Sequence, residues 1–167
     1  MKLSLIPDFK FEKFNDVTAE FLASLGVKGI LLDIDNTLEP YENALPGEHV
    51  LEWFRSLAAL GIKCAFVSNN GRERVELFNS SLSYPAYYKA GKPFKKKLLV
   101  AMKEIGTDDT NTVFMGDQVF TDVLAAHLAG IKAILVDPIK DKTDPLTRFK
   151  RLLEKPVIRK YEKRNNK

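Results

Sequence analysis

The feature that most constrains this chain is an alternation of short apolar runs with segments whose apolar residues recur every three or four positions. The runs are continuous rather than alternating with polar residues, which is typical of strands buried on both faces. The segments between them are typical of amphipathic helices. Five such runs lie at residues 28–34, 62–68, 85–90, 111–117 and 132–138. The sequence therefore predicts a doubly wound, Rossmann-like α/β fold, with a mainly parallel five-stranded sheet and helices on both faces.

Prolines and glycines delimit the predicted helices. One helical pattern follows Pro46 and ends at Gly61, and another follows Pro93 and ends at Gly106. Proline is favoured in the first turn of a helix and glycine just after the last turn. A further helix is predicted over residues 121–129.

Length and charge predict one domain with a basic extension. The domain is predicted over residues 1–147 of the 167, and residues 1–26 within it are expected to form a helical preamble. Residues 148–167 have nine Lys or Arg against two Glu, whereas residues 1–147 have seventeen against twenty Asp or Glu. This basic C-terminal arm is expected either to be solvated or to be attracted to anionic lipid head groups or nucleic acid.

Cysteine content and hydropathy exclude several classes of protein. The single cysteine, Cys64, can form neither an internal disulfide nor a thiolate zinc site by itself. No apolar run approaches the roughly 18 residues of a membrane helix, and the N-terminal segment is a poor signal peptide. The protein is therefore expected in the cytoplasm, or at most at the periphery of the inner face of the membrane.

Polar residues follow the predicted strands at the points where those strands end. Asp33 and Asp35 close the first strand, Ser68 the second and Asp117 the fourth, while Lys92 follows the third. The carboxyl ends of parallel strands share one edge of a sheet. We therefore expect these side chains to converge there.

The acidic residues in this set predict a metal site. Asp33, Asp35 and Asp117 would repel one another unless a hard cation lay among their oxygens. Mg2+ suits them, because it takes a few protein oxygens and completes its octahedron with waters and substrate phosphate. A calcium loop of the EF-hand type is excluded, since Leu38 lies where that loop needs glycine and Ala44 where it needs glutamate.

The remaining residues of the set favour phosphate chemistry. Lys92 would supply a fixed positive charge, and Thr37 and Ser68 would supply neutral hydrogen-bond donors for phosphoryl oxygens. Phosphoryl transfer depends mainly on positioning and on stabilisation of charge, which these groups provide together.

Four short motifs give this set a family resemblance. "DIDNT", "SNN", "GKP" and "GDQVFTD" occur in that order on alternating strands, and the match spans residues 28 to about 137. The sequence resembles the haloacid dehalogenase (HAD) superfamily. Within it, the sequence is similar to the small capless class III phosphatases, particularly the YqeG-like group and its phosphatidylglycerophosphate phosphatase relatives.

The resemblance implies a role for each matching residue. Asp33 would be the nucleophile that forms an aspartyl-phosphate, and Asp35 would protonate the leaving group and later activate water. The residues implied to hold the phosphoryl group are Thr37, Ser68 and Lys92. Those implied to bind Mg2+ are Asp33, Asp117 and the main-chain carbonyl of Asp35. Asp122 is expected to orient this metal site indirectly.

The spacing of the motifs leaves no room for a cap domain. Only 35 positions separate Asp33 from Ser68, and 24 separate Ser68 from Lys92. An uncapped edge suits a bulky or surface-presented phosphomonoester. The resemblance implies phosphatidylglycerophosphate, a membrane phospholipid, as the leading substrate, and a soluble sugar phosphate or a nucleic-acid 3′-phosphate are the alternatives.

Two other classes of function stay open. A receiver-type switch would carry a stable aspartyl-phosphate as its output, but receivers place that aspartate on the third strand, where this sequence has none. An RNA-binding protein would use the basic arm and keep the acidic site as a vestige, which the intact set of residues argues against. The sequence predicts no oligomeric state.

Overall fold

The computed structural model describes residues 4–140 and 145–165. Its centre is a six-stranded sheet in the order β1-β6-β5-β2-β3-β4, and each neighbouring pair of strands is parallel. The strands are β1 (Phe9–Phe11), β2 (Gly29–Leu32), β3 (Lys63–Val67), β4 (Ala86–Tyr87), β5 (Thr112–Gly116) and β6 (Lys132–Val136). The predicted doubly wound α/β fold is confirmed, with one strand more than the five expected.

Six helices surround the sheet in the described residues. They are α1 (Ala19–Ser24), α2 (Glu48–Ala59), α3 (Arg72–Asn79), α4 (Lys96–Ile105), α5 (Leu124–Ala129) and α6 (Pro145–Asn165). A 3-10 turn covers Phe14–Asp16, and a π-helical turn, Val119–Val123, leads into α5. Helices α2 and α4 begin two and three residues after Pro46 and Pro93, so these prolines precede the first turns that they were expected to open. Phe94, which lies between Pro93 and α4, is exposed.

Continuous apolar strands explain why helices cover both faces. Alternate residues of β2 point to opposite sides, so Ile30 and Leu32 join one buried cluster while Leu31 joins the other. The first cluster includes the apolar faces of α1, α2 and α3, and the second includes those of α4 and α5. The stretches between β2 and β3 and between β3 and β4 are described in full, and they form only loops with α2 and α3, so neither insertion point carries a cap domain.

The sixth strand comes from the segment that was expected to be a helical preamble. Phe9–Phe11 pairs with β6 at the edge of the sheet, and the 3-10 turn and α1 follow it. The rings of Phe9 and Phe11 both pack edge-on against Phe21 of α1, at centroid distances of 5.3 and 5.2 Å. A three-residue edge strand is stabilised mainly by such tertiary packing, so local sequence carries only a weak signal for it.

The predicted basic arm forms most of α6, which packs against the domain. Val157 and Ile158 contact the second apolar cluster, and the Tyr161 hydroxyl accepts a hydrogen bond from the Lys10 main-chain N–H at 3.0 Å. Residues 1–3, 141–144, 166 and 167, which belong to the predicted preamble, domain and arm, lie outside the described residues. In the part of the chain that the structure describes, no helix combines the length and apolar character needed to span a membrane.

Candidate active site

The carboxyl ends of the central strands bring the predicted acidic residues to one edge of the sheet. β2 lies between β3 and β5, so the segments that follow these three strands are neighbours. After β2 the chain turns sharply: the N–H of Leu38 donates to the carbonyl of Ile34 at 2.9 Å, and Asn36 adopts a left-handed φ of 60°. Asparagine tolerates this conformation better than most residues. The turn keeps both Asp33 and Asp35 at the sheet edge.

Three carboxylates form the acidic cluster, which we define as Asp33, Asp117 and Asp122. One oxygen from each lies within 4.8 Å of the others. All three residues are buried, with 7, 2 and 1% of their surface exposed. An oxygen-only set of this size could hold a hard divalent cation. Asp122, which was expected to act indirectly, is a full member of the cluster, whereas the Asp35 side chain is not.

Gly116 makes room for Asp122. A Cβ atom added at Gly116 would lie 2.3 Å from an Asp122 carboxylate oxygen, closer than real Cβ contacts. The same oxygen accepts a hydrogen bond from the Gln118 main-chain N–H at 3.0 Å. The π-helical turn Val119–Val123 thus brings its carboxylate back onto the end of β5, and π-helical turns of this kind are frequent at functional sites.

Lys92 is a buried cation that contacts two members of the acidic cluster. Its Nζ donates to Asp33 and to Asp122, both at 2.8 Å. The main-chain N–H of Lys92 donates to the Asn69 side chain at 2.8 Å, which ties the loop after β4 to the loop after β3. Burial by itself would lower the pKa of Lys92, but Asp122 and Asp33 outweigh it and the pKa is raised. The ammonium is therefore a permanent charge.

Burial and mutual repulsion perturb the carboxyl groups of the cluster. Burial raises the pKa of Asp33 to about 7, and repulsion from Asp122 and Asp117 adds to this against the lowering effect of Lys92. Burial and Asp122 likewise raise the pKa of Asp117 to about 6, although Arg151 opposes them. A divalent ion in the cluster would favour the ionised forms of these carboxyl groups.

Asp35 and Ser68 line a small pocket in front of Asp33 and Lys92. The pocket has a volume of about 130 Å3. The Asp35 carboxylate accepts hydrogen bonds from Nε of Arg74, at 2.9 Å, and from the Asn70 side chain. The Ser68 hydroxyl accepts a hydrogen bond from the Asn70 main-chain N–H at 3.1 Å. The pocket is thus polar and large enough for a phosphoryl group.

Thr37 takes a different position from the other predicted phosphate-binding residues. It is 1% exposed and does not line the pocket. Its hydroxyl donates to Oδ1 of Asp117 at 3.2 Å. Thr37 thus contacts the acidic cluster through Asp117, whereas Ser68 and Lys92 line the pocket.

Comparisons with known proteins agree with this arrangement. A HAD-hydrolase-like family model matches residues 89–155. The chain is 35% identical over 158 residues to "Probable phosphatase YqeG" of Bacillus subtilis (strain 168), covering 95% of this chain and 92% of that protein. The chain belongs to the HAD superfamily. The predicted class of enzyme, a HAD-type phosphatase, is thereby confirmed.

Solved HAD structures share the fold at low sequence identity. A 3-deoxy-D-manno-octulosonate 8-phosphate phosphatase from Moraxella catarrhalis, in complex with magnesium, phosphate and KDO, aligns with a TM-score of 0.52 at 15% identity, covering 86% of this chain and 95% of that one. A HAD superfamily (subfamily III A) hydrolase from Legionella pneumophila aligns with a TM-score of 0.51 at 19% identity, covering 78% and 74%. At these identities the likeness shows the fold alone.

Three charged residues at the HAD site were not predicted from the sequence. Arg74 of α3 contacts Asp35, while Arg151 and Glu154 of α6 contact the segment that carries Asp117. The one available signal for α6 was an acidic residue three positions after an arginine within a basic run. That pattern predicts a local pair and not a contact with a strand end 34 residues away.

Proposed function

We propose that the protein is a Mg2+-dependent phosphomonoesterase in which Asp33 is the nucleophile. One observation carries the proposal: Asp33 lies against the Lys92 ammonium at 2.8 Å, belongs to the acidic cluster and lines a pocket of about 130 Å3. A phosphoryl group in that pocket would meet a carboxylate oxygen, a buried cation and a hydroxyl. Phosphoryl transfer depends on a positioned nucleophile and on fixed positive charge, and Asp33 and Lys92 would supply these.

The donor set fits Mg2+. The carboxylates of Asp33 and Asp117 and the main-chain carbonyl of Asp35 would hold the ion, and Asp122 lies close enough to bind it or to orient a bound water. When bound, the ion supplies positive charge next to the phosphoryl oxygens and lets Asp33 stay ionised at neutral pH. All donors are hard oxygens, and the nearby nitrogen of Lys92 is protonated, which disfavours softer metals.

The side chains divide the reaction into two steps. An Asp33 oxygen attacks phosphorus, the bond from phosphorus to the ester oxygen breaks, and Asp35 gives its proton to the departing alkoxide. Asp35 then removes a proton from a water whose oxygen attacks phosphorus, and the bond to Asp33 breaks to release inorganic phosphate. Ser68 and Lys92 hold the phosphoryl oxygens throughout, and Arg74 and Asn70 keep Asp35 at the pocket wall.

Phosphatidylglycerophosphate is the substrate that we propose. The pocket is small, about 130 Å3, so most of a bulky substrate must lie outside it. Next to the site, α6 exposes apolar side chains among basic ones, and this apolar stripe is Leu146, Phe149, Leu152 and Leu153. Apolar side chains with flanking Lys and Arg favour the surface of an anionic membrane, where such a lipid is presented.

The catalytic part of the proposal is tested with a generic aryl phosphate. The wild-type protein should release phosphate only with Mg2+, and Asp33→Asn should abolish turnover. Glu39→Gln is the matched control, because Glu39 is a buried carboxylate at the same edge outside the acidic cluster. Full turnover in Asp33→Asn, or equal loss in both variants, would contradict the role of Asp33.

The substrate is tested separately. Purified protein is assayed with phosphatidylglycerophosphate in anionic vesicles, with a soluble sugar phosphate and with a nucleic-acid 3′-phosphate. We expect preference for the lipid, and Phe149→Ser with Leu152→Ser should lower vesicle binding while turnover of the aryl phosphate is retained. Leu77→Ser, an exposed apolar residue on α3, is the control. Preference for a soluble substrate, or unchanged vesicle binding, would exclude the membrane assignment.

A further inference from the structure

Two side chains on α6, one turn apart, contact the segment that carries Asp117. Arg151 donates from Nη2 to Oδ2 of Asp117 at 2.5 Å and from Nη1 to the Asp117 main-chain carbonyl at 2.6 Å. Glu154 accepts a hydrogen bond from the main-chain N–H of Val119 at 2.9 Å. Arg151 and Glu154 also pair with each other at 3.0 Å. Together they hold the two ends of the three-residue stretch 117–119, in which the chain passes from β5 into the π-helical turn.

Glu154 is placed where a helix start needs an acceptor. Val119 is the first residue of the π-helical turn, and the first N–H groups of a helix have no partner within it. The residue before the turn, Gln118, provides no side-chain cap. Glu154 is only 3% exposed, although glutamate is rarely buried without a specific partner. It therefore acts as a cap supplied by a distant helix.

Arg151 completes the orientation of the Asp117 carboxylate. The Thr37 hydroxyl donates to Oδ1 at 3.2 Å, and Arg151 donates to Oδ2 at 2.5 Å, so each oxygen has its own partner. A carboxylate held at both oxygens has one orientation relative to Asp33 and Asp122. Outer partners of this kind commonly set how well a protein ligand binds its metal.

We infer that Arg151 and Glu154 are positioning residues for the metal ligand Asp117, so that α6 determines the affinity of the site for its divalent cation. The inference rests on the proposed function, since it takes Asp117 as a ligand. Neither residue contacts the pocket in which the substrate's phosphoryl group would lie. The predicted basic arm is thus part of the catalytic domain in its middle turns, and only its exposed face is available for other contacts.

The rest of α6 is anchored independently of these two residues. Val157 and Ile158 pack on the apolar cluster, and Tyr161 accepts a hydrogen bond from Lys10. Loss of Arg151 should therefore leave the helix docked. This separation allows metal affinity to be measured without removing the helix.

The experiment measures binding of Mg2+ alone to the full-length protein by calorimetry, and of Mn2+ by electron paramagnetic resonance. Arg151→Met should weaken binding of both ions by about 10-fold to 100-fold. Arg151→Lys, which keeps the charge but loses the fork, should weaken it less. Arg159→Met is the matched control, since Arg159 is exposed on the same helix, and it should bind like the wild type. Turnover at saturating Mg2+ should fall less than turnover at limiting Mg2+.

Competition between Arg151 and the metal for Asp117 predicts the opposite sign. Unchanged or tighter Mg2+ binding in Arg151→Met would overturn the inference, while the proposed function would stand if the wild type bound Mg2+ and Asp33→Asn bound it weakly. A wild type that bound no divalent ion would overturn both. If Arg151→Met failed to fold, Glu154→Gln would carry the test, because it keeps the acceptor for Val119 but weakens the hold on Arg151, and its Mg2+ affinity should also fall.

Discussion

Two kinds of buried carboxylate lie at the same edge of this sheet, and they are stabilised in different ways. Glu39 is 3% exposed, yet it accepts hydrogen bonds from the Gly47 main-chain N–H at 2.8 Å and from the Asn43 side chain at 2.7 Å. Two neutral donors, with the His49 ring Nε2 at 3.5 Å from the same carboxylate, thus surround a single charge. Glu39 lies outside the group of acidic residues that could share a cation, as defined over the described residues.

The acidic cluster contrasts with Glu39 in number and in partners. Asp33, Asp117 and Asp122 crowd within 4.8 Å and depend on two cations, Lys92 and Arg151, for charge compensation. Three carboxylates therefore share two cations, and one of these, Arg151, also pairs with Glu154. Burial of a carboxylate does not by itself indicate function. Several buried carboxylates that outnumber their cationic partners do indicate function, because a further positive charge would stabilise them.

The largest effect is expected when the cation shared by the cluster is removed. Lys92→Met leaves Asp33 and Asp122 without their partner, and breaking a buried ion pair in this way costs about 3 to 5 kcal/mol of stability. Loss of the charge that faces the phosphoryl group should lower turnover at least about 100-fold. Urea unfolding and the aryl phosphate assay measure the two effects.

Lys96→Met is the control for Lys92→Met, because Lys96 is exposed on the neighbouring helix α4. It should retain the stability and turnover of the wild type. Wild-type stability in Lys92→Met would mean that the acidic cluster does not depend on this charge.

The pH dependence of stability should distinguish the cluster from Glu39. Folding raises the pKa of Asp33 from 3.8 to about 7, so the folded protein binds the proton more tightly than the unfolded chain does. The stabilisation from this group is complete below pH 3.8 and is lost as pH rises through about 7. Without metal, Asp33→Asn should therefore be more stable than the wild type at pH 8, by about 1 to 3 kcal/mol, and the difference should shrink at pH 5. Urea unfolding at both pH values measures it, and equal stability at pH 8 would contradict the raised pKa.

Neutralising Glu39 should have the opposite sign. In Glu39→Gln the remaining side-chain oxygen keeps its hydrogen-bond donor. The NH2 group that replaces the other oxygen cannot accept, so the second donor is left without an acceptor, and this lowers the free energy of unfolding by about 1 to 2 kcal/mol. The loss should be seen at pH 8 in urea unfolding. If Glu39→Gln were more stable than the wild type, Glu39 would resemble the acidic cluster and not a carboxylate satisfied by hydrogen bonds.

The sequence predicted the fold and the acidic edge well for a common physical reason. Strands buried on both faces leave continuous apolar runs, and parallel strands bring their carboxyl ends to one edge, so Asp33 and Asp117 could be placed together from order alone. The strand Phe9–Phe11 was missed because its stability comes from packing with Phe21 rather than from a long local pattern. The start of α4 was placed too early because a proline in a preceding turn resembles one in a first turn.

Contacts that depend on three-dimensional closure were beyond sequence reasoning. Thr37 was expected to face a phosphoryl group, but the tight turn after β2 directs its hydroxyl to Asp117. Asp122 was expected to act indirectly, and the absence of a side chain at Gly116 lets it approach the other carboxylates. Arg151 and Glu154 lie in a run whose composition suggests only a solvated basic surface. Thr37, Arg151 and Glu154 are thus fixed by neighbours distant in sequence, and Asp122 meets Asp33 only where two strand ends come together.

The smallest predicted effect is the change in the free energy of unfolding when Mg2+ is added, which should differ between the two kinds of carboxylate. Mg2+ at ten times its dissociation constant should raise the free energy of unfolding of the wild type by about 1.4 kcal/mol, because it binds only the folded state. Glu39→Gln should gain the same increment from its lower starting point, since its hydrogen-bonded carboxylate takes no part in binding. Asp33→Asn, already relieved of one buried charge, should gain much less. Thermal unfolding at pH 8 with Mg2+, with Ca2+ and with EDTA measures the increments, and an equal gain in all three proteins would mean that the stabilising ion binds somewhere other than the acidic cluster.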